Sequence, residues 1–402
     1  MAILNSGVTN IKVPAYGNSI LYTKFDVVYF SGAPWDVSVP LATADQSGHY
    51  YCTESHTSDV YVGPHVTSPT GVSSKWTQDF FFEPSYGSSF NYSNSSYNIS
   101  YGDGYYSPTN KGINSLKVQA DLVFNGRDDR ETKGLIHMLE DSFNKGNRPT
   151  GGYSGIAWTP PAPLHKSHEF YVESFQHTFV YPNVNDTSFT FMNEDQSTTD
   201  WQGFYVPFSG TSGFYDSGGI YDEHDIVYMS GALIDQSGWY YYSGTGGLTN
   251  HLSSPTGVST QWARDDFYFE VQQKVNMPQT PRINKKQFQN EYFIRTDDGI
   301  NKSLLNFSLD FKGVTDKQTK AMLHFMENRR GNQQFRFTPP APYGTQRIFI
   351  SPQWKYRTVF KDNSNVSVVF VEHPIDYTNK AKTFLTLATT FYDTSYIRNG
   401  NI

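Results

Sequence analysis

The sequence predicts a mainly β protein: β-sandwich or β-barrel sheets with one helix in each of two repeats, and a small all-β module before each larger domain. Three observations predict it. Phe, Tyr and Trp make up 16% of the 402 residues, and aromatic side chains favour pleated, half-buried strands. Short apolar stretches alternate with clusters of Gly, Ser, Pro and Thr, which is typical of strands joined by turns. The third observation is an internal repeat.

The repeat extends over most of the chain. Residues 26–33 (DVVYFSGA) recur at 225–232 (DIVYMSGA), and 159–163 (TPPAP) recurs at 338–342. The offset falls from 199 to 179 along the chain, so the first copy holds about twenty extra residues, which loops tolerate. Two copies are too few for a solenoid, which needs at least three. We therefore interpret the pattern as a tandem duplication of one folded unit.

Changes in composition divide each copy into a small aromatic-rich part and a larger part. The linker between the copies contains six aromatic residues, so we expect it to pack rather than to extend freely. The predicted order is an N-terminal arm (1–18), a small β module (19–83), a larger domain (84–195), a linker (196–217), a second module (218–270), a second larger domain (271–375) and a C-terminal extension (376–402) with a strand at 383–392.

Each larger domain contains one predicted helix. Residues 128–143 begin with acidic residues, which the helix dipole favours at this end. The helical period places Leu135, Ile136, Leu139 and Phe143 on one apolar face. The second helix begins at Asp316, with an apolar face of Met322, Leu323 and Met326. The strands predicted after the two helices are 170–180, 188–192, 348–360 and 366–371.

Composition also excludes several classes of protein. The formal net charge of −7 rules out a broad basic surface for nucleic acid, so we expect no nucleic acid sequence recognition. A single cysteine, Cys52, rules out a disulfide framework and multi-cysteine metal sites. No apolar run reaches the roughly 18 residues of a membrane span, and the first residues lack a signal-peptide pattern. We expect a soluble chain, synthesised in a reducing cytoplasm, without membrane insertion.

The larger part of each copy resembles the minor tail protein M family of long-tailed phages, a distal-tail type of domain. In the first copy the matching motifs are 100–105 (SYGDGY), 112–114 (GIN), the helix and 158–161 (WTPP). The second copy keeps 299–301 (GIN), the helix and 335–340 (FRFTPP), but it departs from the first motif at 292–299 (YFIRTDDG). The resemblance covers about 100 residues per copy, in the family's order.

The small part of each copy resembles the chitin- or cellulose-binding modules of bacterial glycosidases. The pattern is 25–29 (FDVVY), Gly32, 50–52 (YYC), Pro69 and Trp76, then 224–228 (HDIVY), Gly231, 240–241 (YY), Pro255 and Trp262. That family stacks exposed aromatic rings on sugars, so the resemblance implies Tyr50, Trp76, Tyr240 and Trp262 as glycan-binding or docking residues. The alternative is that these aromatics form the core of a very small module, which has little other surface to bury.

No catalytic pattern emerges from the sequence, and we expect no enzymatic activity, no cofactor and no metal. His137 and Glu140, like His324 and Glu327, lie three apart on a helix, but two ligands are too few for zinc. Asp103 lies between two glycines and is interpreted as a turn residue. Cys52 has no base beside it in the sequence, and the second copy has a tyrosine at the equivalent position.

The resemblance implies a structural component of a phage virion: a ring at the distal tail or baseplate that joins the tail tube to the tip hub. The expected partners are the tail tube protein, the tip or baseplate hub proteins, further copies of the chain and a host surface glycan. Closed rings need heterologous contacts. Three chains could supply six similar domains in a pseudo-six-fold ring, or six chains could assemble; the family's hexameric rings favour six. The alternative function is a lectin-like cell-surface or receptor-binding protein.

Overall fold

The computed structural model confirms a mainly β fold with few helices. Contacts divide the chain into two compact units. The first comprises Met1–Phe90, Val118–Pro161 and Lys166–Thr198, and the second comprises Asn91–Lys117, Ala162–His165 and Thr199–Ile402. The residues that the structure describes are 3–4, 13–17, 19–30, 48–58, 75–100, 106–111, 115–144, 155–161, 164, 168–193, 215, 221–229, 237–244, 261–271, 275–278, 283–288, 292–297 and 304–373.

The described strands of the modules have five residues or fewer, whereas the longest strands of the larger domains have fourteen. In the first sequence copy they are β1 (Ile3–Leu4), β2 (Val13–Pro14), β3 (Leu21–Tyr22), β4 (Val27–Phe30), β5 (Gly48–Cys52), β6 (His56–Thr57), β7 (Trp76–Thr77), β8 (Ser89–Asn94), β9 (Ser96–Ser100), β10 (Tyr106–Asn110), β11 (Leu116–Arg127), helix α1 (Asp129–Asn144), β12 (Ile156–Trp158), β13 (His168–Tyr181) and β14 (Val184–Asn193). In the second they are β15 (Ile226–Met229), β16 (Gly238–Tyr242), β17 (Trp262–Ala263), β18 (Val275–Asn276), β19 (Ile283–Gln287), β20 (Phe293–Asp297), β21 (Asn306–Val314), helix α2 (Asp316–Asn328), β22 (Phe335–Phe337), β23 (Arg347–Phe360) and β24 (Asn363–Glu372).

The main sheet of the first unit has the order β12-β13-β14-β11, and all its pairs are antiparallel. Alternate side chains of β14 are buried, including Phe189 and Phe191, because successive side chains of a strand point to opposite faces. The small module of this unit is the three-stranded sheet β4-β5-β7. The predicted strands at 170–180 and 188–192 are confirmed within β13 and β14.

The second unit contains the sheet β23-β24-β21-β18, with β22 paired to the start of β23. Its module is the sheet β15-β16-β17. The strands predicted at 348–360 and 366–371 are confirmed within β23 and β24. This unit also includes Tyr92, whose ring is fully buried and stacks on Trp354 with centroids 5.4 Å apart.

The registers of the two sheets correspond at the offsets found in the sequence. Ala120 pairs with Phe191 in the first unit, and Phe307 pairs with Phe370 in the second. In the modules Val28 pairs with Tyr50, and Val227 pairs with Tyr240. Positions that repeat in the sequence therefore occupy equivalent ladder positions.

Both predicted helices are present, and each begins next to a hairpin turn. In α1 the Asp128 carboxylate accepts from the Glu131 N–H at 2.7 Å, and in α2 the Thr315 hydroxyl accepts from the Gln318 N–H at 3.2 Å. These are N-caps, which satisfy amide groups that lack a helical partner. The hairpin turns supply a second acceptor for the first turn of each helix. The side-chain oxygen of Asn183, in the β13–β14 turn, accepts from the Asp129 N–H, and that of Asp362, in the β23–β24 turn, accepts from the Asp316 N–H.

The predicted apolar face of α1 is confirmed at Leu135 and Leu139, which are fully buried, and Ile136 is partly buried. The side chain of Phe143 lies outside the described residues. His137 and Met138, which were not part of the predicted face, are also buried. The helix buries a broad face, and the imidazole of His137 can lie inside because it has a hydrogen-bond partner. On α2 Met322, Leu323 and Met326 are buried, as predicted. The C-terminal extension with its predicted strand lies outside the described residues, as does the linker apart from Tyr215.

Candidate docking surfaces

The four aromatic residues proposed to bind glycans lie in the cores of the modules. Tyr50, Trp76, Tyr240 and Trp262 are between 5% and 8% exposed. Trp76 packs edge-on against Tyr22, and Trp262 packs in the same way against Tyr221, with ring centroids 4.9 and 5.0 Å apart. A buried ring offers no face to a sugar, so the small-core interpretation accounts for all four side chains. Sugar binding by the modules stays a prediction.

One strand of each module is buried on both sides, because it lies between the module core and the helix of its unit. In β5 the side chains of Tyr50 and Cys52 belong to the module core, while Tyr51 contacts α1. In β16 Tyr240 and Tyr242 belong to the core, while Tyr241 contacts α2. The alternation of a strand thus attaches the module to the larger domain of the same unit.

The attachment is a tyrosine–histidine hydrogen bond in both units. Tyr51 Oη lies 3.0 Å from His137 Nδ1, and Tyr241 Oη lies 2.9 Å from His324 Nδ1. A second ring packs edge-on against each imidazole: His49 at 4.5 Å in the first unit and Trp239 at 4.7 Å in the second, both at 78°. Sequence reasoning considered the two histidines only as metal ligands and missed both tyrosines. The available signal was the internal repeat, in which Tyr51 and His137 of the first copy recur as Tyr241 and His324 of the second.

Both histidines are neutral at pH 7. Burial, assisted by His49, lowers the pKa of His137 to about 4, and burial, assisted by Arg329, lowers the pKa of His324 to about 3. Burial also raises the pKa of Tyr51 well above its usual value, with a smaller contribution from Asp141. The hydrogen bond therefore joins two uncharged groups, and its role is to hold the module on the helix.

The surroundings of the two contacts differ in charge. In the first unit His49 Nδ1 lies 3.1 Å from an Asp141 oxygen. In the second unit the buried Arg329 stacks on Phe325, with its guanidinium carbon 3.6 Å from the ring centroid. It donates to the carbonyl oxygen of Phe325 at 3.2 Å, as well as to that of Arg264. Hydrogen bonds to carbonyl groups reduce the cost of burying the charge.

No chemistry-bearing cluster accompanies these contacts in the part of the chain that the structure describes. Within it, no three or more His, Cys, Asp or Glu side chains are grouped so that they could hold a metal ion. Contrary to the expectation from the sequence, Cys52 has a base nearby, because its buried sulfur lies 3.7 Å from His56 Nδ1. The thiol donates to the carbonyl oxygen of Glu54 at 3.1 Å, and burial raises its pKa to about 11. At neutral pH it is therefore a thiol, which is a poor nucleophile. Asp103 lies outside the described residues, and no helix within them is apolar and long enough to span a bilayer.

The exposed apolar side chains concentrate on hairpins. β9 and β10 form one two-stranded hairpin, which we call the first arm, and β19 and β20 form another, the second arm. Their strands correspond at an offset of 187 residues. Exposed large apolar residues on the two arms and on the turns of the main hairpins are Tyr97, Ile99, Phe179, Val180, Tyr181, Ile283, Phe293, Ile294, Val359 and Phe360. Exposed apolar surface of this kind is typical of contact sites with other proteins.

A comparison with protein families finds that residues 265–373 match the model of the phage minor tail protein family. The matched segment extends from the end of the second module to the end of β24 and includes α2. No curated protein matches the chain. The family match supports a structural role in a phage tail, and hence a place in the virion.

Proposed function

We propose that this chain is a structural, non-enzymatic component of a bacteriophage tail, which forms a ring at the distal tail or baseplate and joins the tail tube to the tip hub. The observation that carries the proposal is the family match over residues 265–373, which includes almost the whole second larger domain. We extend the proposal to the first copy because it repeats the sequence of the second. Its sheet has the same register as the second, with Phe175 paired to Phe189 where the second has Trp354 paired to Val368.

The ring follows from tandem duplication, which is part of the same proposal. Two similar units in one chain offer similar surfaces, and closed cyclic assemblies are built from heterologous, head-to-tail contacts. Three chains would give six similar units around an axis, and six chains would give a larger assembly or two rings. The partners in either arrangement are further copies of the chain, the tail tube protein and the tip hub.

The proposal is tested by locating the chain in particles. Phage particles produced in the host would be labelled with an antibody against this chain and imaged by electron microscopy. The expected label is confined to the junction of tube and tip, and native mass spectrometry of the purified chain should give a multiple of three copies. Particles without label, together with a chain that stays monomeric at micromolar concentration, would exclude the proposal.

The modules are proposed as docking platforms for neighbouring tail proteins rather than as lectin domains. The lectin-like alternative depends on exposed aromatic rings, and the four candidate rings are buried. A pull-down on chitin and on peptidoglycan tests the alternative directly. Retention of the intact chain that free oligosaccharide competes away would restore the glycan function, whereas passage through both matrices supports protein docking.

A further inference from the structure

The second arm is a hairpin that needs a partner. All five side chains of β19 are exposed, and so are Phe293 and Ile294 on β20. A two-stranded hairpin is marginally stable by itself in water. Exposed aromatic and β-branched side chains on such a hairpin favour burial against another surface.

The charges on the second arm indicate an acidic partner. Lys285 lies directly opposite Arg295 in the ladder, and like charges at opposite positions destabilise a strand pair. Both cations also lie over the Phe293 ring, at 4.3 and 5.0 Å from its centroid. β19 and β20 together hold three basic residues and one acidic residue, whereas β9 and β10 hold no charged residue. In the first arm the equivalent pair is Asn98 opposite Pro108. The basic pair is therefore a feature of the second copy alone, and carboxylates placed against it would relieve the repulsion.

The first unit carries a surface of the required charge. The hairpin of β13 and β14, residues 168–193, contains Glu169, Glu173 and Asp186 and no lysine or arginine. Glu169 and Glu173 are exposed. The hairpin of β23 and β24, residues 347–372, has the same register but holds four basic and two acidic residues. Equivalent hairpins of the two repeats thus have opposite net charge, and only the first is acidic.

We propose that the second arm of one chain docks on the acidic β13–β14 hairpin of a second copy of this chain. The inference rests on the proposed self-assembly and names its contact. Lys285 and Arg295, which share one face of the arm, face the carboxylates of Glu169 and Glu173, while Ile283 and Phe293 on the same face are buried beside them. The contact is heterologous, because the basic arm of a chain meets the acidic hairpin of the next. The shared positive charge of two second arms also disfavours a contact between them.

The test is a charge swap in the full-length chain, followed by sedimentation velocity in low salt at micromolar concentration. Lys285→Glu with Arg295→Glu should weaken self-association at least about tenfold, as expected for reversal of complementary charges. Glu169→Lys with Glu173→Lys should do the same. Combining all four substitutions in one chain should restore association. The matched control is Lys117→Glu with Lys133→Glu, which makes the same change in net charge at exposed positions elsewhere and should leave association unchanged.

The outcomes separate this inference from the proposed function. The arm contact is overturned if the arm variant associates as strongly as the wild type, or if the variant with all four substitutions does not recover association. The proposed tail function would still stand in that case, provided that the wild-type chain is found in labelled particles. A wild-type chain that stays monomeric in this assay overturns the contact as well, and the particle labelling then decides the tail function separately. Circular dichroism of each variant confirms that the fold is retained.

Discussion

The two tyrosine–histidine contacts show which features the repeats share and which they do not. Geometry is shared: the phenol–imidazole distances differ by 0.1 Å, and both edge-on rings are tilted by 78°. The neighbours differ, since the first imidazole lies beside the His49–Asp141 pair and the second lies near Arg329. Buried positions that attach a module to its helix are thus constrained by packing. Charges diverge around the contact, and they diverge further on the exposed hairpins, where nothing in the fold of a unit requires them to agree.

The largest expected effect is loss of the module cores. Trp76→Ala and Trp262→Ala each remove a buried indole from a very small cluster, and we expect a cost of roughly 3–5 kcal/mol in each case. Hydrogen exchange measured by mass spectrometry would report each module separately, with protection lost only in the module that is changed. The control is Tyr86→Ala, whose side chain is 59% exposed.

Equal losses in the two modules would show that both cores are built in the same way. Retained protection in β4, β5 and β7 after Trp76→Ala would contradict the core assignment and return that ring to the list of candidate sugar-binding residues.

Acid should weaken both attachments. The folded-state pKa values of His137 and His324, about 4 and about 3, lie below the usual 6.5, so the unfolded chain takes up protons first. The stability that the two neutral histidines contribute to the fold is complete above pH 6.5. It is lost as the pH falls from 6.5 to the folded-state pKa values. At pH 5 we expect a loss of about 2 kcal/mol per histidine relative to pH 7. Urea unfolding between pH 7 and pH 3 checks this.

The acid response also distinguishes the units. The loss in the first unit should level off near pH 4, whereas that in the second should continue to about pH 3. Replacement of His137 by Gln, or of His324 by Gln, should remove the matching part of the pH dependence. A pH profile that is unchanged in both variants would mean that other groups control acid stability.

Removal of a single phenol oxygen compares the contacts directly. Tyr51→Phe leaves His137 Nδ1 without its phenol partner, which costs about 1–3 kcal/mol for a buried polar group. Tyr241→Phe should cost more, because the Tyr241 phenol also interacts electrostatically with the buried Arg329. Thermal unfolding of the two variants gives the order. Equal costs would mean that Arg329 contributes nothing to the second attachment.

Elements with a local signal could be predicted from the sequence, and contacts between distant elements could not. The helix starts at Asp129 and Asp316 follow capping residues that are visible in the sequence, and the long strands of the main sheets alternate clearly. The Tyr51–His137 contact joins residues 86 positions apart, and no spacing rule relates them. The inward position of His137 was missed because hydrophobic patterning treats an imidazole as a surface residue, although a buried phenol pairs with its Nδ1 atom.

The glycan-binding candidates were predicted from a sequence motif, and the motif does not determine whether its aromatic residues are exposed or buried. The β propensity of Tyr50 and Tyr51 is the same, and only the helix on one side and the module core on the other decide that both are buried. In a module so small the tryptophans had little alternative to the core, which is why the small-core interpretation describes Trp76 and Trp262 better than the motif does.

The smallest expected effect concerns the turns that cap the helices. Asn183 and Asp362 have φ of 61° and 53°, and each side chain accepts from the first turn of a helix, Asp129 N–H at 3.1 Å and Asp316 N–H at 2.8 Å. Alanine at either position loses the acceptor and disfavours the left-handed backbone, at a cost of about 1–2 kcal/mol. Asp362→Ala should cost a few tenths of a kcal/mol more than Asn183→Ala, because a carboxylate also interacts with the positive end of the helix dipole. The control Asp362→Asn keeps the acceptor and tolerates the backbone while removing the charge, so it should lose only that difference in thermal unfolding. If Asp362→Asn loses as much as Asp362→Ala, the charge rather than the hydrogen bond dominates at the second turn, and the two turns cap their helices by different means.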